Sequence, residues 1–84
     1  MSDMRNSQKV EELATETSLT RRQAEAWLFR KFYRQTREST AEALEIAPNT
    51  VDEHVRRAKD KIEIARQTVA IVDEIEEEIE IFRG

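Results

Sequence analysis

The apolar positions of this chain fall three and four residues apart over most of its length, the period of one buried helical face. Val10, Leu13 and Ala14 share such a face and predict a short helix over Gln8–Glu16 that packs on the body. The first seven residues show no period and read as a loose terminus. A second helix is expected to start at Thr20, because Thr20 and Gln23 stand at capping-box spacing, hydroxyl and amide each satisfying a backbone N–H of the other. Ala24, Trp27, Leu28 and Phe32 carry its buried face, with Trp27 and Phe32 expected in the core. Phe29 and Tyr33 widen that face, so the helix should be contacted on two sides.

Arg34 and Gln35 read as a connection, and Thr36 as the N-cap of a short third helix bearing Ala41 and Leu44. Pro48 opens a further helix at the first-turn position, where its missing N–H costs nothing. Only Glu45, Ile46 and Ala47 separate the two, so these helices must cross steeply, and Ala41 is small enough to let them approach. That is the geometry of a helix-turn-helix. Beyond Pro48 there is no breaker before Gly84. Val51, Val55, Ala58, Ile62, Ala65, Val69 and Val72 follow in alternating steps of four and three, a heptad seam that beyond Val72 drifts to Ile75, Ile79 and Phe82. Residues 48–82 are expected as one helix of roughly 50 Å at ~1.5 Å per residue, with a break near residues 62–66 as the alternative. The body offers nothing large enough to cover the stripe after Ile62, which therefore calls for a second chain. Whether the paired helices run parallel or antiparallel stays open.

Composition sharpens this picture. Eighty-four residues make one domain at most, and a core so small benefits from a partner. One Gly and one Pro in the whole chain favour an all-α fold. Without cysteine there is neither a disulfide framework nor a thiolate site, and a single histidine leaves no transition-metal ligand set. The longest apolar runs, residues 26–29 and 69–72, are too short for a bilayer, and no signal sequence opens the chain, so a cytoplasmic location is the expectation. The net charge of −4 conceals a pattern. Residues 1–18 hold two basic and four acidic side chains, residues 19–61 ten and seven, and residues 62–84 two and seven. A basic middle lies between acidic ends.

Leu19-Thr20, Arg22-Gln23-Ala24-Glu25, Thr40-Ala41-Glu42 with Leu44, and the run from Ile46 through Asn49-Thr50-Val51-Asp52-Glu53 to His54 together resemble the LuxR/GerE and sigma-factor-region-four group of helix-turn-helix domains, especially the short haloarchaeal versions. The resemblance covers about residues 19–62. It departs from the group's pattern at Arg34, where a glycine usually stands, so that connection is expected to be built differently. It departs again at Ala47, which replaces a serine N-cap and forfeits roughly 1 kcal/mol of capping. The resemblance implies an archaeal transcription factor that binds duplex DNA through its fourth helix.

Placed in a major groove, that helix would meet base edges with its exposed N-terminal residues. Asn49, with Thr50 beside it, suits adenine; Glu53 suits cytosine N4; Arg56 suits guanine or a phosphate. Arg57, Lys59 and Lys61 are placed for the DNA backbone, and Arg21, Arg22 and Arg37 stand at helix starts, which also suit phosphate. Each has a plainer reading: Asn49 and Thr50 as first-turn residues, Glu53 with Arg56 and Arg57 as an intrahelical ion pair, His54 as packing, Glu74 to Glu80 as a solvated face. No constellation for catalysis is present, and no cofactor or small-molecule ligand is implied.

The expectation is therefore an all-α helix-turn-helix bundle with a long C-terminal dimerisation helix. Residues 1–18 form an arm, 19–61 the DNA-binding unit, and 62–84 an acidic pairing helix using Ala65, Val69, Val72, Ile75, Ile79 and Phe82. Its expected partners are double-stranded DNA and a second copy of itself. The alternative is a protein-interaction module or anti-regulator that keeps the fold without binding DNA. Interruption of the basic face by acidic side chains would favour that alternative.

Overall fold

The computed structural model describes residues 8–83, with side chains as far as residue 80. The loose terminus expected over the first seven residues, and the side chain of Phe82, lie outside the described residues. Four helices follow one another: α1 (Gln8–Glu16), α2 (Arg21–Trp27), α3 (Arg37–Leu44) and α4 (Pro48–Arg83). The last turn of α2 runs on as a π-helical segment, Leu28–Phe32. The fold is all-α, with no strand among the described residues. None of these helices is long and apolar enough to cross a membrane.

The starts and stops are chemical. Thr20 Oγ1 accepts from the Gln23 N–H, and Gln23 Oε1 accepts from the Thr20 N–H, each at 3.1 Å, so the expected capping box is complete. Thr36 Oγ1 accepts from the Ser39 N–H at 3.0 Å and caps α3. At the other end of α3, Glu45 turns into the left-handed region at φ 58, and the Ile46 N–H reaches back to the Ala41 carbonyl at 3.0 Å. With the Glu45 N–H on the Glu42 carbonyl, this is a Schellman ending. It reverses the chain within Glu45, Ile46 and Ala47. Ala47 caps α4 with its backbone alone, its carbonyl accepting from Thr50 and Val51.

Two apolar clusters hold the body. Ala26, Phe29, Ala41, Leu44 and Val51 are buried together, with Ala43, Ile46 and Val55 packed around them. Leu19, Ala24 and Ala58 form the second, closed by Leu13 and Trp27. Ala41 therefore sits where α2, α3 and α4 meet, as its size suggests. Thr40, fully buried beside it, is satisfied by donating its hydroxyl to the Thr36 carbonyl at 2.8 Å.

One expectation is corrected. Phe32 is not core: it is 70% exposed, and Tyr33 is also exposed. The reason is the π-helical segment, in which the Tyr33 N–H bonds the Leu28 carbonyl five residues back. One residue added to a turn rotates the following side chains by roughly 100°, which carries Phe32 off the buried face. Phe29 takes the core position instead. Arg34 takes a φ of 55, the left-handed region that a glycine enters without steric cost. With an arginine there, the connection carries a backbone cost of about 1–2 kcal/mol.

The long helix is unbroken over its 36 residues, so the alternative of a break near residues 62–66 is excluded. At ~1.5 Å per residue it accounts for the molecule's longest dimension of 56 Å. Its first half is sided, Val51 and Ala58 being fully buried. From residue 63 to 80 every side chain is exposed, so this segment does not fold back onto its own domain.

Candidate nucleic-acid interface

The outward face of α4 is set by its inward one. Because Val51 and Ala58 are buried and Val55 is half-buried, Asn49, Asp52, Glu53, Arg56, Arg57, Lys59 and Asp60 face solvent. Thr50 and His54 lie half-buried at the margins, and the His54 Nδ1 is buried without a hydrogen-bond partner. Asn49 stands in the first turn, where α4 projects from the three-residue connection with its leading N–H groups uncapped by any side chain.

The predicted cations divide into engaged and free. Arg21 pairs with Glu11. Arg22 donates to the Leu44 carbonyl at 3.0 Å and lies 3.9 Å from the Glu25 carboxylate, which ties the start of α2 to the end of α3. Arg37 bonds Asp52 at 2.8 Å, linking α3 to α4, and Arg57 bonds Glu53 at 2.8 Å one turn away. The intrahelical reading of Glu53 is thus realised, with Arg57 as its partner. Lys61 is half-buried and donates to the Ser18 carbonyl and to Gln23 Oε1, both at 2.8 Å. It works as a strut between α4 and the capping box of α2. Among the described residues, Arg56 and Lys59 make no ion pair and no hydrogen bond.

Sequence reasoning missed two partners of these free cations. Arg30 and Lys31, in the π-helical segment that follows α2, line a cleft of about 300 Å³ together with Asp52, Val55, Arg56, Lys59 and Asp60. Arg30 is held in place by a 2.7 Å bond to the Gln35 carbonyl. The signal was the basic pair itself, hidden because the surrounding residues were assigned to a buried face. The π-helical segment turns that pair toward α4. Four cations thus converge on one cleft, with Asp52 and Asp60 at its edges.

The face is therefore mixed. Asp52, Glu53 and Asp60 alternate with the basic residues along α4, and two of the three are paired with arginines. Arg21, Arg22 and Lys61 belong to the junctions of α2 with its neighbours, while Arg56, Lys59 and Lys31 form the free basic group, with Arg30 beside them held by the Gln35 carbonyl. Among the described residues there is no cluster of three or more His, Cys, Asp or Glu placed to hold a metal ion. Comparison with protein-family models, with curated proteins and with solved structures finds no match to this chain.

Proposed function

We propose that this protein is a sequence-specific, duplex-DNA-binding transcriptional regulator that acts as a homodimer, with α3 and the first half of α4 forming a helix-turn-helix. One observation carries the reading. The first half of α4 buries Val51 and Ala58 while offering Asn49, Glu53, Arg56 and Arg57 to solvent beside the cleft of Arg30, Lys31 and Lys59. A helix so placed meets base edges with its N-terminal residues and phosphates with the flanking cations. The resemblance to the LuxR/GerE and sigma-factor-region-four group supports the same assignment. Asn49 and Arg56 are the base readers; Lys59, Arg30 and Lys31 hold the backbone. Arg57 reads DNA only by leaving Glu53, and Arg37 only by leaving Asp52. The uncovered stripe of α4 after Ile62 supplies the dimer contact.

The test is selection of bound fragments from a random duplex pool at two salt concentrations. An enriched motif whose affinity falls steeply with salt is expected, because each phosphate contact releases counterions. Absence of enrichment at low salt would overturn the reading. A second reading rests on Asp52, Glu53 and Asp60, whose carboxylates interrupt the basic face: the same surface would bind a protein of mixed charge. Under that reading no DNA is retained at any salt concentration.

A further inference from the structure

The stripe that α4 leaves uncovered has a symmetry that its heptad spacing alone does not require. Counting outward from Val72, apolar residues fall three, seven and ten positions away toward the N-terminus, at Val69, Ala65 and Ile62. They fall three, seven and ten positions away toward the C-terminus as well, at Ile75, Ile79 and Phe82. The spacing is a palindrome. A second copy running the opposite way, with Val72 on the two-fold axis, sets Val69 against Ile75, Ala65 against Ile79 and position 62 against position 82.

Charge follows the same axis. Residues 73–80 carry six acidic side chains and no basic one. A parallel in-register pair would lay these acids beside their own copies, and like charges at neighbouring helix positions repel. In the antiparallel pair the positions facing 73–80 are 64–71, which hold Arg66 and no acid. The end of one helix also reaches the other's body, where Leu13, Leu19, Ile62, Ala65 and Val69 line an apolar cavity of about 570 Å³. Unpaired, the stripe leaves Val69 59% and Ile75 48% exposed.

We infer that two copies of α4 pair antiparallel about Val72, the C-terminal turns of each seating in the apolar groove between the partner's α4 and its α1–α2 connection. This rests on the dimer proposed above and specifies it. Recognition and pairing segments share one unbroken helix, so the two readers lie at opposite ends of a rod. Their centres near Val55 are about 50 Å apart at ~1.5 Å per residue, wider than the ~34–36 Å between half-sites one turn apart. Half-sites one turn apart on one straight duplex are thereby out of reach.

The chain has no cysteine, so engineered ones report pairing without background. Residues directly opposed across the seam come within disulfide reach, a Cα separation of about 4.4–6.8 Å. In the antiparallel pair the two copies of residue 65 are about 21 Å apart, as are those of residue 79. Under mild oxidation of the full chain, Val72→Cys should link to itself. Ala65→Cys and Ile79→Cys should each stay unlinked alone and link to each other when mixed, with circular dichroism confirming that each variant is folded. Self-linking of Ala65→Cys or Ile79→Cys would overturn the proposal in favour of a parallel dimer. A linked Val72→Cys with no product in the mixture would overturn the register. An unlinked Val72→Cys together with monomeric sedimentation of the unmodified chain would remove the dimer itself.

Discussion

Two halves of one helix carry the same apolar spacing and meet opposite fates. Before Ile62, the seam residues Val51 and Ala58 are fully buried against α2 and α3. After it, Val72, at the heptad position equivalent to Val51 and Ala58, stands in solvent, as does its seam neighbour Val69. The difference lies entirely in what stands opposite. Ala41, Leu44 and Phe29 meet the first half; among the described residues nothing buries the second. Periodicity thus reveals which face of a helix needs cover without revealing what provides it. In the first half the cover is intramolecular and the outward face is left for another task. In the second half the apolar face itself stands exposed.

The largest effect that separates the halves should come from a charge placed in each. Ala41→Glu puts a carboxylate where three helices converge, and a charge buried in a core is among the costliest changes it can suffer. We expect a loss of more than about 4 kcal/mol, seen as a collapsed thermal transition of the body and loss of DNA binding. Val72→Glu should leave the body's folding intact and instead shift sedimentation to monomer. If Ala41→Glu remains folded and binds DNA, the three-helix junction is not the heart of the structure.

Milder truncation sharpens the same contrast. Val51→Ala removes two buried methyl-sized groups and should cost about 2 kcal/mol at every protein concentration. Val69→Ala, farther along the same seam, should leave stability unchanged in dilute solution and lower it only where dimer is populated, since only partner binding gives that side chain anything to lose. Denaturant melts at two protein concentrations, about a hundredfold apart, check both. A concentration-independent loss at Val69 would show that the second half is covered by its own chain after all.

How far the sequence announced this arrangement depends on the kind of signal. Local chemistry was plain: the Thr20–Gln23 box, the Thr36 cap, Pro48 in the first turn and the unbroken run after it each rest on neighbours a few residues apart. The Arg30–Lys31 side of the cleft was not readable, because it depends on a π-helical segment that no side-chain type demanded. A regular helix would keep Phe32 inside. Nor did residue type distinguish a cation with a free head from one already occupied. Lys61 and Lys59 look alike in the sequence, yet one braces the α2 cap across a separation of 38 residues and the other reaches only solvent.

That distinction orders the effects expected on the reading surface. Arg56→Ala removes a free guanidinium from the middle of the face and should weaken binding to a selected site by ~1–3 kcal/mol if it reads a base. Lys59→Ala should weaken binding to all sequences alike and reduce the salt slope by about one. Fluorescence anisotropy titrations over a salt series separate the two. Equal affinity of wild-type protein and Arg56→Ala would remove the recognition helix from its assigned role.

The smallest effect on folding should come from Glu53, and it is informative for that reason. Its carboxylate holds Arg57 at 2.8 Å one turn along, both side chains being about half exposed. Such exposed pairs contribute about 0.3–0.5 kcal/mol, so Glu53→Gln should barely move the thermal transition. On DNA the same change acts through two opposed routes. It releases Arg57 to a phosphate and removes a negative charge from the face, both of which favour any duplex. It also replaces a carboxylate acceptor with an amide that can donate, which changes what the helix can read at a cytosine. Non-specific affinity should therefore rise while the ratio of specific to non-specific binding falls. If Glu53 served only to pair with Arg57, both affinities would rise together and the ratio would stay constant. If the interrupted basic face served a protein partner instead, neither would be measurable. Paired titrations with a selected duplex and a scrambled one, at a single fixed salt concentration, tell these three outcomes apart.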